Sequence, residues 1–195
     1  MNLVDGNLCN IQAKYSNILP SFFFIIASFT SAAVQADPIS PALQAKVDKY
    51  KKQLVEWAAN PVVVSAAKES NSKGGIPGVT NAKWDDLADT DAAVKELKEN
   101  SASKLISKWE EDKTLDKLFI RDEKGNLVAF SSGSGKPILY NNANRPPFQN
   151  GFKGVWAANE VKPDPTTQKK SVQISVPVLD GGKAIGVLQS AVLAD

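Results

Sequence analysis

Beyond residue 40 the apolar positions Leu43, Val47, Tyr50, Leu54, Trp57 and Ala58 recur at spacings of three and four, while Lys46, Asp48, Lys49, Lys51 and Lys52 fill much of the rest. That pattern predicts an amphipathic helix with one buried stripe and a basic, solvated back. Asn60-Pro61 ends this helix and starts another, since Asn suits the cap and Pro the first turn; Val62, Val63, Ala66 and Ala67 are then expected to face inward. Residues 70–80 (SNSKGGIPGVT) have the composition of a loop. After them Trp84 and Leu87 sit in a short segment. Thr90-Asp91 then opens a helical stretch containing Val94, Leu97, Leu105, Ile106 and Trp109, with an interruption at Asn100-Ser101.

From Leu118 the period shortens. Residues 118–121 and 126–130 predict two strands joined by Asp122-Glu123-Lys124-Gly125, a hairpin turn capped by Asp122 whose glycine suits positive φ. Residues 171–177 and 184–193 predict two more, flanking Leu179-Asp180-Gly181-Gly182. Between the hairpins, residues 131–154 are a long excursion rich in Gly, Pro and Asn, and residues 155–158 follow as a middle strand. The expected fold class is α+β: a long N-terminal helix and further helices packed on a central antiparallel sheet of about five strands.

The amino-terminal end changes where this domain is expected to work. Residues 18–30 (ILPSFFFIIASFT) form an apolar run too short for a bilayer span of roughly 20 residues. Small or modest side chains follow at Val34-Gln35-Ala36, as a secretory signal peptide requires before its cleavage site. The expectation is a leader over residues 1–36, with a start assigned upstream of the true one or an extended leader, and a single domain over residues 37–195 in the periplasm or secreted. An uncleaved anchor is the alternative. Cleavage after Ala36 removes Cys9, the sole cysteine, and the chain has no histidine. A domain with neither residue has no disulfide framework, thiol nucleophile, imidazole base or His-ligated zinc. A net charge of +2 spread over mixed-sign segments gives no basic stripe for nucleic acid.

The order of FIRDEKGNLVAFS (119–131), the Gly/Pro/Asn excursion, GVW (154–156) and SVQISVPVLDGGKAIGVLQSAVL (171–193), after a helix carrying LVEWAANPVV (54–63), resembles the extracytoplasmic Cache domains. These are the PAS-like sensor modules of bacterial chemoreceptors and sensor kinases, and the likeness is to the single-module form over nearly all of residues 37–195. The resemblance implies a pocket for a small ligand, often a carboxylate or amine, between the sheet and the loops covering it. Family members usually sit between two membrane spans ahead of a cytoplasmic output domain. Here the sequence stops at Asp195, just after the last predicted strand, so a stand-alone secreted form is expected, presenting its ligand to a membrane receptor or sensor kinase. The amine-binding signature of two-module relatives is missing, so an amino-acid ligand does not carry over.

Arg145 is the first ligand-contact candidate: it is one of two arginines, lies in the presumed covering segment, and offers a fixed fork of donors to a carboxylate. Tyr140 and Trp156 are candidates for flat pocket walls, with core packing as the competing role. Asp180 could meet a ligand amine, as an acidic residue near the sheet does in the family, but the adjoining Gly-Gly favours a hairpin role. Arg121 alternates with apolar neighbours and is a second pocket candidate. Trp57, Trp84 and Trp109 belong to helical patterns and are expected in the core. Ser132-Gly133-Ser134-Gly135-Lys136 lacks the first glycine of a phosphate loop and has Pro137 where Ser or Thr belongs. The carboxylates at 85–86 and 110–112 form helix-surface runs without cleft signatures, and Asp85, Asp86, Asp89 and Asp91 lack the Gly and terminal Glu of a calcium hand. The function expected is small-molecule binding without turnover, with no enzyme activity, cofactor or metal. The alternative is a protein-interaction or assembly domain using the N-terminal helix, through which a homodimer could also form.

Overall fold

The computed structural model describes residues 37–165 and 167–194; the leader expected over residues 1–36 lies outside the described residues. A two-residue strand, β1 (Asp37–Pro38), leads into helix α1 (Pro41–Ala58), whose buried residues are Leu43, Val47, Tyr50, Leu54 and Ala58. Ser40 caps it by accepting from the Leu43 N–H. Helix α2 (Pro61–Lys73) follows, with Asn60 Oδ1 accepting from the Val62 N–H at 2.9 Å and Pro61 at its start. It buries Val63 and Ala67, whereas Val62 is exposed. Its last four residues lie in the stretch whose composition read as loop: Ser70, Asn71, Ser72 and Lys73 continue the helix, and Gly74 ends it at φ 74°.

Three helices follow: α3 (Asn81–Asp86), α4 (Ala92–Glu99) and α5 (Ser101–Glu110). The break expected at Asn100-Ser101 is present, because Asn100 caps α5 by accepting from Ser103 N–H at 2.8 Å. The remaining elements are β2 (Leu115–Asp122), β3 (Leu127–Phe130), a short 3₁₀ turn (Ser132–Ser134), α6 (Pro146–Lys153), β4 (Trp156–Ala157), β5 (Glu160–Pro163), β6 (Lys170–Asp180) and β7 (Lys183–Leu193). The excursion over 131–154, read as loop throughout, therefore ends in a helix. Pro146 and Pro147 occupy its first turn, where a missing N–H costs nothing, so two residues that argue against a helix in general begin this one.

The strands form one antiparallel sheet in the order β1-β5-β6-β7-β2-β3, with β4 pairing β6 beyond β5. Five of the seven strands are four residues or longer. On one face, Val172, Ile174 and Val176 of β6, Leu188 of β7, and Leu118 and Ile120 of β2 pack against α1, α2 and Ile106 of α5. The apolar stripe of α1 is thus consumed by its own sheet. On the other face α6 lies on β6 and β7, so close that a Cβ on Gly151 would overlap Ser175 Cβ and stand 3.0 Å from Val187 Cγ1. Trp84, Val94, Leu97, Leu127, Phe130 and Tyr140 form a second cluster, with Ile76, Val79, Leu87 and Phe119 packed against it. Trp57 and Trp109 stack at 4.7 Å, half-buried against the main core. Among the described residues no helix is long and apolar enough to cross a membrane.

Candidate functional site

Alternation along the central strands decides what lies under α6 and the segment before it. Because Val172, Ile174, Leu118 and Ile120 point into the main core, Gln173 and Ser175 of β6, Gln189 of β7, and Phe119 and Arg121 of β2 point the other way. The register aligns them, with Phe119 opposite Gln189 and Gln189 opposite Ser175. This row, polar except for Phe119, floors a cavity of about 510 Å³, roofed by Pro137, Ile138, Leu139 and Asn142 and closed on one side by Arg145, Pro146 and Pro147 at the start of α6. The volume lies within the range of about 300–1,000 Å³ usual for small-molecule sites.

The roof is fastened from three directions. Lys136 Nζ donates to the carbonyl oxygens of Trp84 at 2.7 Å and Leu87 at 2.6 Å, at the end of α3. Trp84 Nε1 donates to Pro137 O at 2.6 Å. From below, the Arg121 guanidinium donates to Gln189 Oε1 (3.0 Å), Gly125 O (3.2 Å), Tyr140 O (2.8 Å) and Leu139 O (3.2 Å). Arg121 is 3% exposed, so a charge on the floor is answered by four acceptors rather than by water. Burial pulls its pKa down to about 9 against the opposing pull of Asp122 and then Tyr140, which leaves it charged at neutral pH.

Three charged side chains line the cavity, and all are cations: Lys117, Arg121 and Arg145. No Asp or Glu is among the described lining residues. Lys117 is ion-paired with Asp164, which also accepts from the Thr167 N–H at 3.1 Å. Burial lowers the Lys117 pKa to about 8, with Asp116 opposing the shift and Arg121 reinforcing it. Arg145 is exposed and its guanidinium has no hydrogen bond or ion pair among the described residues. The N-terminus of α6 cannot itself serve an anion, because Pro146 and Pro147 lack N–H groups and those of Phe148 and Gln149 both donate to Arg145 O. Any anion held there is held by the Arg145 side chain.

The structure brings Arg145 and Arg121 together on the cavity and leaves the other three sequence candidates off its lining. Tyr140 is buried in the second cluster, tilted against Trp84 at 5.7 Å, with its hydroxyl accepting from Ile76 N–H. Trp156 pairs opposite Ser175, one strand beyond the floor. Asp180 lies at the end of β6, partly exposed and ion-paired with Lys68 at 2.8 Å, where it serves the hairpin end rather than the cavity. Sequence reasoning missed Lys117, Gln173, Ser175 and Gln189. Their one sequence signal is the odd-numbered polar positions in Gln173-Ile174-Ser175 and Leu188-Gln189, a pattern that a solvated strand face shares and that becomes a cavity floor only because α6 covers it.

No protein-family model matches the chain, and no curated protein matches it either. Among solved structures, the sensor domain of the Vibrio cholerae histidine kinase DctB superposes with a TM-score of 0.53 at 17% identity, covering 77% of this chain and 50% of that one. The ligand-binding domain of the Campylobacter jejuni chemoreceptor Tlp3 in complex with L-valine matches at a TM-score of 0.40 and 13% identity, covering 80% of this chain and 64% of that one. That of the Pseudomonas fluorescens chemoreceptor CtaA in complex with L-alanine matches at 0.38 and 15%, covering 77% and 56%. The fold is of the Cache-like kind, as in the DctB sensor domain. The chain spans about half the length of the DctB sensor domain.

Proposed function

We propose that this chain is an extracytoplasmic domain, delivered by a leader over residues 1–36, that binds a small organic anion without turnover and presents its ligand state to a membrane receptor or sensor kinase. The observation that carries the reading is the charge of the cavity. Among the described residues three cations and no carboxylate line a space of about 510 Å³; Lys117 is paired with Asp164 behind the lining, and Arg145 has no hydrogen bond or ion pair. A planar fork of donors left open at the rim of a preformed cavity suits a carboxylate. The sensor-domain fold shared with DctB supports a sensing role.

The test is thermal unfolding of the purified protein against small carboxylates, amines, sugars and purines, followed by titration calorimetry. A bound carboxylate raises apparent stability by mass action. Arg145→Ala is expected to weaken its affinity by about tenfold or more, the loss of one charge-assisted contact worth about 1.5–3 kcal/mol, with unfolding of the free protein unchanged. Carboxylate affinity equal in wild type and variant would remove Arg145 from the site.

A further inference from the structure

One open charge stands at this cavity, and exposed apolar side chains form walls around it. Of the three cations on the lining, two are already answered by the protein. Lys117 is ion-paired with Asp164, and Arg121, 3% exposed, gives four hydrogen bonds to protein acceptors. The neutral groups of the floor are engaged in the same way, since Gln189 accepts from Arg121 and Asn142 and donates to Ser175. Among the described residues that leaves the charge of Arg145 and the side-chain amide of Gln173, which is neutral. A ligand with two carboxylates would strip water from the second one with no counter-charge in return.

The apolar part of the lining is accessible rather than packed away. Ile138 in the roof is 47% exposed, Leu139 and Phe119 are half-buried, and Pro146 stands exposed beside Arg145. Phe119 interrupts an otherwise polar row, between Lys117 and Arg121, whose Nζ and Cζ lie 5.4 and 5.9 Å from its ring centre. It stays partly open while its neighbours Leu118 and Ile120 are wholly buried. A single exposed apolar side chain needs no explanation, but several on one concave surface beside an open cation match a ligand with an apolar body and one anionic end. We infer that the anion recognised by this cavity is a monocarboxylate with a bulky apolar body, its carboxylate on Arg145 and its body against Ile138 and Phe119, and that short acids and dicarboxylates bind more weakly. The inference rests on the anion-binding reading above and narrows it to one ligand class.

Calorimetry on the purified protein with propanoate, hexanoate, 3-phenylpropanoate and hexanedioate tests it. Each buried methylene is worth about a factor of four, so the better of hexanoate and 3-phenylpropanoate is expected to bind about tenfold or more tighter than propanoate. The same margin is expected over hexanedioate, which puts a second charge where hexanoate has a methyl group. Ile138→Ala removes one wall from an exposed position outside both core clusters. It is expected to weaken the two longer monocarboxylates by about threefold to tenfold and propanoate by less than about twofold, whereas Arg145→Ala weakens all of them. Propanoate or hexanedioate binding as tightly as the longer monocarboxylates, or a size preference untouched by Ile138→Ala, would overturn the inference. Those outcomes leave the anion reading standing if carboxylate binding still depends on Arg145; absence of binding by every carboxylate overturns both. Should Ile138→Ala fail to fold, the wild-type series decides alone.

Discussion

Replacing Arg121 with Met tests how the roof of the cavity is held. The change removes four hydrogen bonds to a buried cation, one to Gln189 Oε1 and three to carbonyls of Gly125, Leu139 and Tyr140. The acceptors do not suffer equally. Tyr140 O still receives Leu127 N–H at 2.8 Å, Gly125 O still receives Asn142 N–H at 3.1 Å, and Gln189 Oε1 keeps Asn142 Nδ2. Leu139 O alone loses its one protein donor, in a partly buried position. At about 1 kcal/mol net per bond, the loss is about 4 kcal/mol, reduced because Met no longer has to bury a charge that lacks a carboxylate partner. The expected net destabilisation is about 2–3 kcal/mol, read as a lower midpoint in urea with unchanged m, or a fall in Tm of about 4–12 °C for a chain of this size. Arg121→Lys is expected to do no better, since an ammonium on a shorter reach cannot serve four acceptors. A loss below about 1 kcal/mol for Arg121→Met would refute the claim that this side chain binds roof to floor.

Two further substitutions or conditions report on the same architecture. Gly151→Ala gains up to about 1 kcal/mol of helix propensity but drives a Cβ into Ser175 Cβ, which sits on the strand backbone and cannot swing aside; a net loss of about 1–2 kcal/mol in chemical denaturation and weaker anion binding are expected, and a stabilised variant would refute the close seating of α6. Raising the pH through the Lys117 pKa of about 8 strips a cation from the cavity, so anion affinity is expected to fall by up to about tenfold between pH 7 and 9; a flat profile by calorimetry would exclude Lys117 from the contact. The same shift acts oppositely on the free fold. Because the folded pKa lies below the unfolded value of about 10.4, the unfolded chain binds more protons between those limits, and the contribution of Lys117 to stability rises with pH across that window.

The helix-first, sheet-later order was legible because its signals are local. The α1 stripe has period 3.6, Asn60-Pro61 and Asn100 are caps, and Asp122 with Gly125 closes a hairpin in which Asp122 Oδ1 accepts from Lys124 and Asn126 N–H groups at 2.9 Å. What was not legible depends on distant partners. Helix α6 hides behind two prolines and a glycine, and its stability comes from packing Phe148 and Gly151 on β6 and β7 rather than from propensity. The four-residue strand β5 exists because β6 offers it an edge. Arg145 and Arg121 stood out as rare residue types in suggestive places. Tyr140 stood out equally, yet a tyrosine next to a glycine-rich loop can fill a core as well as line a pocket, and here its hydroxyl closes on Ile76 N–H.

The floor of the cavity argues against a purely structural origin for its polarity. A face of β6, β7 and β2 covered by α6 and a pinned roof could be filled with aliphatic side chains, as the opposite face is. Instead it carries Arg121, Gln189 and Ser175, each at most 7% exposed. Burying such groups is tolerable only when they satisfy one another, and they do: Arg121 donates to Gln189, and Gln189 Nε2 donates to Ser175 Oγ at 3.2 Å. Among the described residues the charged group left over at the cavity is the exposed Arg145 fork. A face built only for stability has no use for an unpaired cation at its rim, and Arg145 stands there. Because the roof is fixed by Trp84, Lys136 and Arg121, the anion proposed above would meet a preformed cavity, little ordering of the roof would be lost on binding, and a contact to Arg145 would translate into affinity with little deduction.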